Sequence, residues 1–400
     1  MTFVERVQIT NYKSIATCDV SLTPFTLLVG PNGSGKSNFV DALRLVTDSL
    51  QTTIDHALRE RGSAREVRRR SHGHPTHFTI ALWLSLPQAG PAHYAFRIAP
   101  TPNGGFAVQR EKAQIPGLQA YYDVKDGEVI RSSFGPPPRI LSDSLFLTAV
   151  SGFSEFRGLF QALASMGFYN INPMTVRDLQ DHDEGRLLRR DGSNLASVLR
   201  RLEAEDRETF ERIRDYLSAI VPAVAEIEPK DLGPKQTIEF RQRVAGAEHP
   251  WRFFAASMSD GTLRALGVLT ALFQAGRRRE ATAPLIGVEE PEATIHPGAA
   301  TIVMDALLEA SATSQIIVTT HSPDLLDHPR VDADTILSVD MDDGQSMIAP
   351  AHPAAISAIR DKLFSPGDLL RDRQLDPDAS KVPGRLRERD LFADLAAADG

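Results

Sequence analysis

Cysteine is almost missing from this 400-residue sequence: Cys18 is its only one. A single thiol excludes a disulfide framework or a cysteine-based zinc site within one chain, and it fits a reducing cytosol. Long apolar runs are missing as well. No segment approaches the ~20 apolar residues that a membrane-crossing helix needs. Residues 1–10, interrupted by Glu5 and Arg6, do not read as a signal peptide. Positive charge is in deficit. With 44 Lys and Arg against 52 Asp and Glu the formal charge is -8, so any nucleic-acid contact has to be a local patch and not a global field. Repeats, low-complexity blocks and sustained heptads are absent too. With 42% hydrophobic and 24% charged residues, this is a globular chain, long enough for one large domain or two smaller ones.

What is present is sharpest at Gly30-Pro31-Asn32-Gly33-Ser34-Gly35-Lys36-Ser37, followed by Asn38. The spacing is G-x-x-x-x-G-K-S. An apolar run, Phe25–Val29, precedes it as an expected buried strand. Phe39, Val40, Leu43, Val46 and Leu50 follow at helical spacing. Strand, glycine loop and helix is the setting a phosphate-binding loop requires. Backbone N–H groups and the helix start would cradle phosphates, Lys36 would reach the β- and γ-phosphates, and the Ser37 hydroxyl would ligate Mg²⁺.

Upstream, residues 2–10 and 15–22 read as strands joined by a turn at Asn11–Ser14, where Tyr12 and Lys13 are either turn residues or nucleotide contacts. Downstream, Arg59, Arg61, Arg65, Arg68, Arg69 and Arg70 form the densest positive stretch, a candidate contact for double-stranded DNA. Strands are expected near 76–86, 92–99 and 105–112, and an extended stretch over 140–150. A helical region follows from 153 to about 222, with one long helix from Leu195 to Ile220 behind Asp191-Gly192-Ser193-Asn194. Strands return at 236–244 and 250–256.

Ser259 then caps a helix that runs to about Ala275, with Gly261 leaving its backbone open. Pro284–Glu290 is a buried strand ending in two acids, costly unless they serve a cation or a proton. After a helix near 299–310, the strand Gln315–Thr320 ends at His321. Strands near 335–339 and 346–349 complete the sheet, a helix follows near 354–363, and residues 366–400 read as a polar tail, loosely ordered in part. Four segments result: 1–50 plus 255–350 as an ATPase core, 51–152 as an antiparallel β-lobe carrying the basic stretch 59–70, 153–254 as a helical insertion with return strands, and 351–400 as a C-terminal helix and tail.

The phosphate loop, Ser259-Asp260-Gly261, Glu289-Glu290 and His321 together resemble the ABC-type ATPase heads of the SMC, RecF and OLD group, as do Ile9–Ile15 and Val318–Pro323. More narrowly, the chain is similar to the stand-alone AAA-family ATPases of bacterial DNA repair or anti-phage defence operons. The resemblance implies an α/β fold: an ABC-type P-loop NTPase head with a mixed sheet, an antiparallel β-lobe and an inserted helical lobe. It implies ATP and Mg²⁺ as ligands, with Gly30–Ser37 as the Walker A loop and Asn38 also at the nucleotide, Ser259 and Gly261 capping the γ-phosphate held by the opposite subunit, Ser37 and Glu289 at the metal, Glu290 polarising the attacking water, His321 as the switch and Lys36 as a catalytic cation. A homodimer formed around ATP in the cytoplasm, and a separately encoded nuclease or other effector, follow from the same resemblance.

Three departures stand out. Glu289 occupies a position usually held by Asp, which implies slow hydrolysis; the signature reads Ser-Asp-Gly; and His296 stands where many relatives carry Asp. The alternatives are an ATP-gated scaffold or sensor with little turnover, and an ABC transporter ATPase subunit. The opening Asn-Tyr-Lys-Ser and the large insertion speak against the transporter. A nuclease of the OLD type carries a metal-binding domain after the ATPase, for which the 79 residues after His321 (400 minus 321) are too few. Asp332-Ala333-Asp334 reads as a polar strand edge.

Overall fold

Runs that are apolar without interruption predict strands covered on both faces, and those strands carry the functional loops at their ends. The computed structural model describes residues 3–71, 75–102, 104–138, 140, 144–274 and 284–395. They form two units: residues 1–166, 332–363 and 373–400 in the first, residues 167–331 and 364–372 in the second. The fold is mixed α/β, with an antiparallel lobe and an inserted helical lobe.

In the first unit, β1 (Phe3–Tyr12), β2 (Ile15–Ser21) and β4–β8 (Phe78–Leu86, Gly90–Pro100, Phe106–Ile115, Ala120–Lys125, Glu128–Ser132) make a seven-stranded antiparallel sheet in the order β2-β1-β4-β5-β6-β7-β8. β1 and β2 from residues 1–50 thus join β4–β8 from residues 51–152 in one sheet, through the pairing of β1 with β4. The strand β3 (Phe25–Val29), buried at every position, pairs in parallel with the late strand Ile336–Asp342, which pairs antiparallel with Gln345–Pro350. The helix α1 (Lys36–Gln51) leaves β3 through the phosphate loop and buries Phe39, Val40, Leu43, Leu45, Val46 and Leu50. Two short helices, α2 (Ile54–Arg59) and α3 (Ala64–Val67), occupy the basic stretch.

The extended stretch expected over 140–150 is instead, in its described part, a short helix α4 (Phe146–Val150), followed by α5 (Ser154–Ala164). Residues 141–143 lie outside the described residues. The cause of α4 is Glu111, fully buried on β6. Its carboxylate accepts the N–H groups of Phe146 and Leu147 at 2.5 and 2.8 Å and the hydroxyls of Tyr94 and Tyr122. Four donors satisfy an anion that would otherwise be too costly to bury.

In the second unit, β9 (Gly167–Tyr169), the short α6 (Pro173–Arg177) and β10 (Gln180–Asp181) precede the helical lobe. The single long helix expected from Leu195 to Ile220 is two, α7 (Leu195–Glu205) and α8 (Arg207–Ile220). Asp206 breaks it. Its backbone leaves the helical region, and its carboxylate caps α8 by accepting Thr209 N–H at 3.2 Å. A strand that sequence reading did not assign, β11 (Val224–Leu232), pairs with β12 (Lys235–Gln242), which also holds β13 (Trp251–Phe254). The helix α9 (Asp260–Phe273) leads to β14 (Leu285–Glu289), and α10 (Ala300–Ala310) to β15 (Gln315–Thr320). Ala275, the expected end of α9, lies outside the described residues. β14 pairs in parallel with both β9 and β15, and β14 and β15 are buried throughout.

Candidate nucleotide site

The phosphate loop gets its shape from the first unit alone. Gly35 has a φ of +106°, a region that side-chain-bearing residues avoid, and a Cβ there would lie 1.9 Å from Ser346 Oγ. The loop is thus folded against the late strand at a distance only glycine permits. Ser14 ties the same corner: its hydroxyl lies 2.6 Å from Ser346 Oγ and accepts from Asn38 Nδ2 at 2.6 Å. Lys36 is buried and its ammonium donates to Gly30 O at 2.7 Å and Pro31 O at 2.9 Å, folded back over the loop. Ser37 is exposed at the first turn of α1. The hydroxyl of Ser34 is buried without a hydrogen-bond partner among the described residues. The loop therefore gathers glycine-lined backbone, a lysine and hydroxyls, groups of the kind that bind phosphate oxygens.

Tyr12 and Lys13 are not presented to a ligand. Tyr12 is fully buried, its hydroxyl donates to Asp41 Oδ2 at 2.8 Å, and Lys13 pairs with the same carboxylate at 2.5 Å. Arg61, its side chain 2% exposed, donates to Asp41 at 3.0 Å and Asp48 at 2.7 Å. Burial disfavours the Asp41 charge, but Arg61, Lys13 and Arg44 outweigh it and hold the carboxyl down at about 2.

Of the six arginines expected to contact DNA, Arg59, Arg65 and Arg70 are exposed, whereas Arg61 and Arg69 are engaged within the protein. Arg69 is buried and donates to Ser14 O at 2.6 Å and Gly344 O at 2.9 Å. Arg59 and Arg70 pair with Asp55 and Glu66, and Arg65 donates to Thr101 O and Pro102 O. Arg61, Arg65 and Arg69 thus tie the segment to other parts of the first unit, which composition cannot reveal.

In the second unit the paired acids and the histidine converge. Glu290 follows β14 with a φ of +45°, and its N–H donates to Thr319 O on β15 at 2.9 Å. This left-handed backbone costs about 1 kcal/mol for a residue with a side chain. It turns the Glu290 carboxylate toward His321, 3.3 Å from Nδ1, at the end of the neighbouring strand. Both side chains are partly exposed. Glu289, facing inward and nearly buried, accepts from Arg190 Nη2 at 2.8 Å. Sequence reading missed Arg190, and also Glu292. Burial raises the pKa of Glu292, and it accepts the Thr320 hydroxyl at 2.5 Å.

Ser259 caps α9 as expected, accepting Thr262 N–H at 3.3 Å. A Cβ on Gly261 would lie 2.4 Å from Thr294 O, so the start of α9 packs directly on the loop after β14. Further along α9, Arg264 donates to Glu289 O at 3.0 Å, Glu290 O at 3.2 Å and Ile171 O at 2.9 Å. Through Arg264, α9 thus holds the backbone carbonyls of both acids. Ser259, Gly261 and His296 line a cleft of about 600 Å³.

Residues 3–73 match a family model described as "AAA ATPase domain", and residues 151–327 one described as "AAA domain, putative AbiEii toxin, Type IV TA system". An OLD nuclease of Thermus scotoductus is 24% identical over 431 aligned residues, taking in 98% of this chain and 70% of the relative. The Old nuclease of Escherichia phage P2 is 24% identical over 354, with 80% of this chain and 56% of the relative covered. A crystal structure of an Smc head bound to the C-winged helix domain of ScpA matches with a TM-score of 0.54 at 16% identity, over 87% of this chain and 97% of that one.

The chain resembles the RecF/SMC/OLD group and has the fold of an ABC-type ATPase head. It spans only part of the length of the two nucleases. No helix among the described residues is long and apolar enough to cross a membrane. Neither Arg190 nor Arg264 belongs to the spaced motifs read in the sequence, and each reaches the acids only through the fold.

Proposed function

We propose that the chain binds ATP with Mg²⁺, dimerises around it and hydrolyses it slowly, coupling closure to a DNA transaction in repair or anti-phage defence. The observation that carries this is the Glu290–His321 pair. A carboxylate held in a left-handed backbone and paired with an imidazole is a group built to orient a proton acceptor. Ser37 and Glu289 each offer a hard oxygen donor of the kind Mg²⁺ takes. Bound there, it would neutralise phosphate charge. Lys36 and the N–H groups at the start of α1 would hold the β- and γ-phosphates. Glu290 would draw the proton of the attacking water as the γ-phosphorus gains that oxygen and loses the bond to ADP. His321 would keep the Glu290 carboxylate in place, and Ser259 with the backbone at Gly261 would cap the γ-phosphate of the second copy's ATP. The likeness to two OLD nucleases supports a nuclease as effector, carried on a separate chain or on further sequence.

A second reading, an ATP-gated scaffold with little turnover, is favoured by the Arg190–Glu289 ion pair, which already neutralises the metal-site acid. The deciding experiment measures ATPase rate and molar mass with ATP, with and without duplex DNA. Glu290→Gln should bind ATP, lose at least ten-fold in turnover and accumulate as a dimer. A monomer with undiminished turnover would sink the proposal, and a wild type that dimerises without measurable turnover would establish the scaffold.

A further inference from the structure

A second group of arginines in the first unit lies outside the stretch 59–70, at residues 385 and 387. Residues 384–388 form one wall of a cleft of about 820 Å³, whose other side includes Asn11, Thr17, His77 and Arg97. Leu386 packs inward, against the cluster of Ala81, Ala95, Leu391 and Phe392. Its neighbours Arg385 and Arg387 are exposed, and neither makes an ion pair among the described residues. The one acid lining the cleft, Glu388, is consumed by Arg97 at 3.0 Å and Arg110 at 2.9 Å. His77 has its pKa lowered by burial and by the charge of Arg97, against the opposing charge of Glu388. In a chain with a formal charge of -8 this local excess is what a patch for a polyanion requires.

Arg385 and Arg387 flank the inward-packed Leu386, so both stand on the cleft wall. Guanidinium forks suit phosphate oxygens, and the cleft has hydroxyl and amide groups at Thr17 and Asn11 but no large aromatic side chain for stacking on bases. Arg69 N–H donates to Asn11 O at 2.8 Å, which brings the end of the arginine-rich stretch to the Asn11 side.

We propose that the cleft between residues 384–388 and the β1–β2 hairpin binds the phosphodiester backbone of nucleic acid, without sequence preference, through Arg385 and Arg387. This rests on the DNA part of the proposed function and gives it a place. The test is fluorescence anisotropy with a labelled 30-base-pair duplex across a salt series, on the full chain. In the R385A/R387A variant, affinity should fall at least ten-fold, and the slope of log affinity against log salt should drop by about 2, one per phosphate contact. ATPase activity without DNA should be unchanged. Duplex affinity and slope equal to wild type would overturn the cleft while leaving the DNA reading standing, whereas a wild type that binds no duplex would overturn both. Competition by polyglutamate or by free ATP as effective, per charge, as unlabelled duplex would overturn the nucleic-acid assignment. A duplex that outcompetes both supports it.

Discussion

Two cations have a claim on the Glu289 carboxylate. One is Arg190, which donates to it at 2.8 Å; the other, in the proposed site, is Mg²⁺. Glu289 is nearly buried, so its charge is felt strongly and a guanidinium already bound must weaken the attraction for a second cation. Arg190→Ala should therefore tighten nucleotide-dependent Mn²⁺ binding several-fold, measured by the loss of free-ion signal in electron paramagnetic resonance. Weaker Mn²⁺ binding would show instead that Arg190 aligns the acid. The acid itself was legible in the sequence, at the end of a buried strand. Its partner was not, because the two stand 99 residues apart and only the folding of the second unit brings them together.

At the scale of elements, strands were easier to read than helix ends. β3, β14 and β15 announce themselves as short unbroken apolar runs, and a phosphate loop behind one of them fixes where α1 starts. The break between α7 and α8 was illegible as helical spacing, since the apolar stripe continues through Asp206 and only the cap interrupts it. The residues 384–395, expected as loose tail, pack on the sheet because Lys112 donates to Phe392 O and Asp394, both at 2.7 Å, contacts no local pattern foretells. The placing of α1 also depends on one such contact set. Asp41 gathers Tyr12 and Lys13 from the β1–β2 hairpin and Arg61 from the segment after α2. Its pKa in the folded protein, about 2, lies below its ordinary 3.8. Its contribution is accordingly full above about pH 4 and is lost as pH falls toward 2, and it amounts to about 2 kcal/mol. Asp41→Asn should lower the stability at pH 7 by at least that much in urea unfolding, since Arg61 loses an anion in a buried place. The variant should also lose part of the acid sensitivity of the wild type between pH 4 and pH 2.

For the whole molecule, the decisive question is which chain completes each nucleotide site. Ser259 and Gly261 stand at the start of α9, and Arg264 of the same helix holds the backbone carbonyls of Glu289 and Glu290. A signature helix engaged by the ATP of another copy would thus bear on the acids of its own chain, so two sites in a dimer would be coupled through α9. If the signature acts across the dimer, two different defects can complement. Lys36→Ala removes the phosphate-loop lysine and leaves the signature intact; Ser259→Arg blocks the signature and leaves the phosphate loop intact. Each variant alone should be inactive. Mixed in equal amounts, half of the dimers formed at random pair the two variants, and each such dimer holds one complete site of its two. The mixture should therefore recover roughly a quarter of wild-type ATPase activity, less if firing requires both sites. A site completed within one chain allows no such rescue, because neither variant then holds a full set of groups, and an inactive mixture of two folded, dimer-competent variants would reject the trans arrangement.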